Sequence, residues 1–145
     1  MLAKVVQFPY MARRFVYYFL IYGFLGWCID TAFRSALVYS YAPGTAIPFF
    51  SVVFASGALV ILELNDHIKR SPLLVQFLAF AFACTMVEYI GGLIGIQVTG
   101  HPLWDYSSEA YNLSGMIDLF HTASWGLLAL LMVRYIHPAI KRIIG

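Results

Sequence analysis

Four long stretches of the chain carry almost no charge, and polar residues interrupt them only at wide spacing. They run from about Phe15 to Leu37, Ile47 to Leu64, Leu73 to Val98 and Met116 to Ile136. A helix needs roughly 20 apolar residues to cross the hydrocarbon core of a bilayer, and each stretch is near that length. The pattern predicts a bundle of four transmembrane helices, the third long enough to tilt or to extend past the core. Pro43-Gly44 turns the chain between the first two, Ser71-Pro72 starts the third, and Pro138 closes the fourth. The one sizeable segment outside the membrane is the connection around residues 99–115, rich in Trp, Tyr, Ser and Asn.

Composition agrees. Of 145 residues, 61% are hydrophobic and 11% charged, and the mean hydropathy is +0.79. A soluble domain carries about 45–50% apolar and about 25% charged residues, so a water-soluble globule is excluded, and so is a disordered chain. The fold class expected is all-α: a polytopic integral membrane protein forming a single transmembrane domain over 1–145. The net charge of +2, with no basic run interleaved with aromatics, excludes nucleic acid as a partner. Cys28 and Cys84 both lie in apolar runs, where cysteine behaves as a small hydrophobe. No Cys or His pair has zinc-ligand spacing. Arg13 and Arg14 precede a run too long for a signal peptide, and no A-x-A site follows it. Residues 1–14, with Lys4, Phe8 and Tyr10, read as a short interfacial segment.

Lys and Arg set the orientation. Lys4, Arg13 and Arg14 precede the first stretch, Lys69 and Arg70 separate the second from the third, and Arg134, Lys141 and Arg142 end the chain. The connection between the third and fourth has none. The positive-inside rule then predicts both termini in the cytoplasm and the aromatic connection outside.

Only Arg34 breaks this pattern, and it belongs to a second one. Ionisable residues inside spans are costly and usually face the protein interior. Asp30 and Arg34 fall in the first stretch, Glu88 in the third, Asp118 and His121 in the fourth. Asp30 and Glu88 each lie about 15 residues past the cytoplasmic start of their stretch, or roughly 22 Å into a core about 30 Å thick. Asp118 and His121 are expected one to two turns in from the other side, so one level in the outer third of the membrane is expected for all of them. They also fall on small-residue faces at helical spacing: Gly23, Gly26/Trp27, Asp30, Arg34; then Ala81, Cys84/Thr85, Glu88, Gly91/Gly92, Gly95; then Ser114, Asp118, His121/Thr122, Trp125. Gly26, Trp27, Gly92 and Trp125 are the expected packing positions.

Such a set can be a purely structural polar network, with Asp30 paired to Arg34. It can also bind or relay something, and three acids against one Arg and one His favour a cation or a proton. A divalent metal on Asp30, Glu88, Asp118 and His121 is a further option, as is hydrolysis using Ser124 or Ser114 with His121 and an acid. The residues leave the cofactor and any metal unspecified. Trp104, Asp105, Tyr106, Ser107 and Asn112, in the connection, read either as an aromatic interfacial belt or as a lid over the acids, with Asn112 or Ser114 capping the fourth helix.

The motifs Gly26-Trp27-x-x-Asp30, Glu88-Tyr89-x-x-Gly92, Trp104-Asp105-Tyr106-Ser107 with Tyr111-Asn112-Leu113-x-Gly115, and Trp125-Gly126 cover most of the chain. With them it resembles the small bacterial membrane proteins called putative ABC-transporter type IV, or CmpB-like. It departs from them in having Asp30 where they have Glu, and in a reduced segment Gly44-Thr45-Ala46-Ile47-Pro48 before the second stretch. The resemblance implies a membrane component of a transport system in the bacterial cytoplasmic membrane. The sequence has no G-x-x-x-x-G-K-[ST] loop, so an ATPase would be a separate chain. Four spans are few for a pore, so the expected partners are the lipid bilayer and a second subunit, in a homo-oligomer or a hetero-complex. The alternatives are an accessory subunit of a larger membrane complex, or an intramembrane metal- or lipid-processing enzyme.

Overall fold

The structure is a computed structural model that describes the backbone of residues 2–144 and the side chains of residues 13–144. The expected interfacial roles of Lys4, Phe8 and Tyr10 lie outside the described side chains. The described residues form α1 (Leu2–Val38), α2 (Val52–Ile68), α3 (Leu73–Thr99), α4 (Leu119–Leu131) and α5 (His137–Ile144); a π-helical turn at Met132–Ile136 joins the last two into one continuous helix. No strand occurs among the described residues.

Three segments are long and apolar enough to cross a membrane: Arg13–Val38, Leu73–Thr99 and Leu119–Ile144. The expected fourth is displaced along the chain, running Val52–Ile68 rather than from about Ile47 to Leu64. α2 has 17 residues, about 25 Å at about 1.5 Å per residue, and begins at Val52 rather than near Ile47. The cause is local. Pro48 supplies no amide hydrogen and disfavours helical geometry at Ile47, and Phe49 takes a left-handed φ of 63°. Phe50 N–H closes the resulting turn onto Ile47 O at 3.2 Å, and the Ser51 hydroxyl caps α2 by accepting from Phe54 N–H at 3.3 Å.

The chain divides into two units, residues 1–59 and 60–145, with α2 passing from one to the other. In the first, Phe50 and Phe54 fill the surface of α1 that Gly23 and Gly26 leave open; a Cβ on either glycine would overlap those rings. Phe50 also lies 5.5 Å from Phe19, ring centroid to ring centroid, and Phe49 lies 5.0 Å from Trp27.

The second unit is built on the antiparallel pair α3 and α4. α3 starts after Pro72 and ends at Gly100, whose φ of 77° closes the helix with a bond to Ile96 O. The two helices meet where Gly126 faces Ala81 and Phe77; a Cβ on Gly126 would stand 2.8 Å from the Ala81 Cβ. Beside that seam the Thr85 hydroxyl donates to Thr122 at 2.9 Å. Polarity is inverted relative to a soluble protein. Gln76, Thr85 and Glu88 are buried, while Phe82 is 66% and Val98 76% exposed, as expected of a helix turned toward lipid.

Pro138 does not close the fourth stretch. The preceding turn widens so that His137 N–H bonds to Met132 O, five residues back, and the helix continues to Ile144. A proline inside a helix forfeits one backbone bond, and a π turn is a recognised way to absorb the irregularity.

Candidate functional site

Glu88 sits inside α3 with 6% of its surface exposed. Both carboxylate oxygens accept a hydrogen bond. The Tyr106 hydroxyl donates to Oε1 at 3.0 Å, and Trp125 Nε1 donates to Oε2 at 2.8 Å. One donor comes from the loop and the other from α4, so a single buried carboxylate ties three parts of the unit together. Tyr106 stacks on His121, with centroids 4.0 Å apart and planes 15° from parallel. The His121 ring is in turn hydrogen-bonded through Nδ1 to Asp118 Oδ2. Glu88, Tyr106, His121 and Asp118 thus form a continuous chain of polar side chains.

Asp118 does not lie one to two turns inside a span, as its position in the apolar stretch suggests. It is the N-cap of α4, in extended backbone geometry, with Oδ1 accepting from His121 N–H at 3.0 Å. It is nonetheless only 2% exposed. Neither Asn112 nor Ser114 caps the helix.

Asn112 and Gly115 set the shape of the loop. Asn112 donates through Nδ2 to Ser107 O at 3.1 Å and Glu109 O at 2.8 Å, and its Oδ1 accepts from Gly115 N–H at 3.2 Å. Gly115 has a φ of 68°, which favours glycine, and a Cβ there would stand 2.7 Å from Asp105 Oδ1. The rest of the loop lies on the small-residue surface of α3: Trp104 and Met116 over Gly92, Leu103 over Gly95. Trp104 Nε1 donates to Met116 O at 3.0 Å. Gly92 therefore packs the loop rather than a helix.

Asp105 Oδ1 accepts from Ser107 N–H at 2.9 Å, an Asx-turn. That backbone hydrogen bond, followed by one from the Ser107 side chain, holds the Asp105 carboxyl below its ordinary range. A depressed carboxylate contributes stability that is complete above its unfolded value of about 3.9 and disappears as pH falls through the folded value. The Ser107 amide resonance of the micelle-embedded protein is therefore expected to stay constant from pH 8 to 5 and to shift below about pH 4. Asp105→Asn, which keeps an acceptor but cannot titrate, removes that shift.

Asp30 and Arg34 belong to the first unit. Arg34 Nε donates to Asp30 Oδ1 at 3.2 Å, as their spacing suggests. Gly44 backs onto the pair; a Cβ there would strike Arg34 Nε and stand 2.6 Å from Asp30 Oδ2. On the same face of α1, Trp27 Nε1 and Thr31 Oγ1 are buried without a hydrogen-bond partner.

The other chemistries find no support in the geometry. Among the described residues no group of three or more His, Cys, Asp or Glu is placed to hold a metal. Ser124 donates to Phe120 O at 2.9 Å rather than to His121, and Ser114 is an exposed loop residue with a φ of 57°. Cys28 and Cys84 are free thiols.

A Trp or Tyr donor to Glu88 is expected by residue type, but Trp125, read as a packing position, is not singled out as that donor; its position four residues after His121, on the same face, is the available signal. Gln76 joins Arg134 across the unit at 3.2 Å, and its signal is a lone amide early in an apolar helix.

A family model described as Putative ABC-transporter type IV matches residues 17–145. No solved structure matches the chain.

Proposed function

The chain belongs to the putative ABC-transporter type IV family, and from that premise we propose that it is the membrane component of a bacterial transport system whose Glu88 site takes up a proton or a small cation. α2, at the short end of the spanning range of about 17–25 residues, serves as the fourth span in this reading. The distribution of Lys and Arg then puts both termini in the cytoplasm and the loop outside. A separate ATPase chain or a second membrane subunit completes the system, in a homo-oligomer or a hetero-complex.

The observation that carries the reading is the chain from Glu88 through Tyr106 and His121 to Asp118. Carboxylates and imidazole are the groups that accept and release protons in membranes. The Tyr106 hydroxyl donates to Glu88, and its ring lies on the His121 imidazole, so Tyr106 holds the carboxylate beside a second group able to take up a proton. Trp104 to Ser107 and Asn112 act as the lid, and Asp30 with Arg34 supplies an internal charge pair.

A second reading has its own observation. Because both Glu88 oxygens already accept hydrogen bonds, the cluster can instead lock packing in an accessory subunit. Inverted vesicles from cells expressing the chain with its native partners separate the two. The transport reading predicts that Glu88→Gln lowers cation- or proton-coupled flux at least tenfold while the complex still copurifies. Unchanged flux with an altered complex would favour the accessory role.

A further inference from the structure

At the end of the second unit opposite the loop, five basic side chains gather from three elements. Lys69 and Arg70 occupy the turn between α2 and α3, Arg134 the π turn, and Lys141 and Arg142 α5; all five are exposed. One buried side chain ties Arg134 to the turn that carries Lys69 and Arg70. Gln76, 5% exposed, donates to Ser71 O at 2.7 Å and to Lys69 O at 3.3 Å, and accepts from Arg134 Nη2 at 3.2 Å. Lys69 pairs with Asp66 at 2.9 Å, and Lys141 lies close enough to Asp66 for their charges to interact. Glu63 and Asp66 are the acids of this end, so an excess of positive charge remains.

Depth and shape point to what meets it. The helix Leu119–Ile144 has 26 residues, about 39 Å against a hydrocarbon core of about 30 Å. With α4 beginning at one boundary, the last turns of α5 reach the headgroup layer at the other. α5 has no buried residue. Ile140, Ile143 and Ile144 share one face at i, i+3 and i+4, and Lys141 and Arg142 project from the other. An apolar face beside a basic one at this depth suits a lipid surface.

We propose that this end is a binding site for the phosphate headgroups of anionic phospholipids. Its ligand is lipid, held by Lys69, Arg70, Arg134, Lys141 and Arg142. The inference rests on the helices spanning a bilayer and is independent of the Glu88 relay.

The test is native mass spectrometry of the full chain titrated with phosphatidylglycerol and phosphatidylethanolamine of matched acyl chains. Each basic residue near an anionic surface contributes a factor of about five, so Lys141→Gln/Arg142→Gln should weaken phosphatidylglycerol binding about 25-fold. The exchange Lys141→Arg/Arg142→Lys should hold it within about twofold, since charge rather than shape carries the contact. Ser108→Glu/Ala110→Glu, which makes the same change in net charge within the loop, should also stay within about twofold. All these positions are exposed, and far-UV circular dichroism checks the fold. Equal affinity of the parent chain for both lipids, or equal weakening by the loop variant, would overturn the proposal. So would an acidic protein subunit found to displace the lipid from these residues.

Discussion

Glu88→Ala is expected to destabilise the second unit by about 2–6 kcal/mol, since a buried donor left without its acceptor costs about 1–3 kcal/mol and here there are two. Tyr106 Oη and Trp125 Nε1 both lose their partner, and lipid offers neither a substitute. The loop should loosen with the helix pair, because Tyr106 is the loop's polar link into α3. Thermal unfolding in a fixed detergent measures the loss. Glu88→Gln keeps the volume and one acceptor oxygen, so its cost should be about half. Tyr106→Phe, which removes one donor and orphans no nitrogen, should cost less than either. If Glu88→Ala melted with the parent protein, the carboxylate would not be the junction described above.

Asp118→Ala should rank with it, at about 2–4 kcal/mol. Loss of an N-cap costs about 1 kcal/mol, and a buried hydrogen bond involving a charged group contributes about 1.5–3 kcal/mol. Asp118 makes both contacts from one side chain, to His121 N–H and to the His121 ring, at 2% exposure. Asp118→Asn separates them. Asn caps as well as Asp, so the helix start survives, while the bond to the ring weakens. The expected order of melting is therefore parent, Asn, Ala. Equal melting of Asn and Ala variants would mean that the cap contributes nothing.

Much of this architecture is legible in the sequence because membrane helices obey few rules. Apolar length predicts α1, α3 and the long final helix, and small residues at three-and-four spacing predict the faces of α1 and α3 that close contacts occupy. The Asp30–Arg34 pair follows from spacing alone. The errors have local causes. An apolar count cannot see that Pro48 and the left-handed Phe49 end one turn before α2 begins. It cannot see that a π turn carries the chain through Pro138. The apolar run suggests that Asp118 lies within a helix because Leu113, Met116 and Ile117 extend it, whereas in the fold these three belong to the loop and Asp118 is the N-cap. Asn112 suits a cap by residue type, but its side chain holds Ser107, Glu109 and Gly115. That a Trp or Tyr can donate to Glu88 follows from residue type, but which one does so is not legible, since Trp125 lies 37 positions from the carboxylate.

The most direct test is to treat the membrane-embedded protein with a membrane-soluble carbodiimide, which modifies protonated carboxyl groups, and to follow the Glu88 peptide by mass. If Glu88 exchanges a proton or cation, that peptide is modified. Modification slows when pH is raised or the coupled cation is added, and Glu88→Gln abolishes it. A folded protein in which Glu88 is never modified, or is modified at a rate indifferent to both pH and cation, would contradict the account and leave Glu88 as a packing residue.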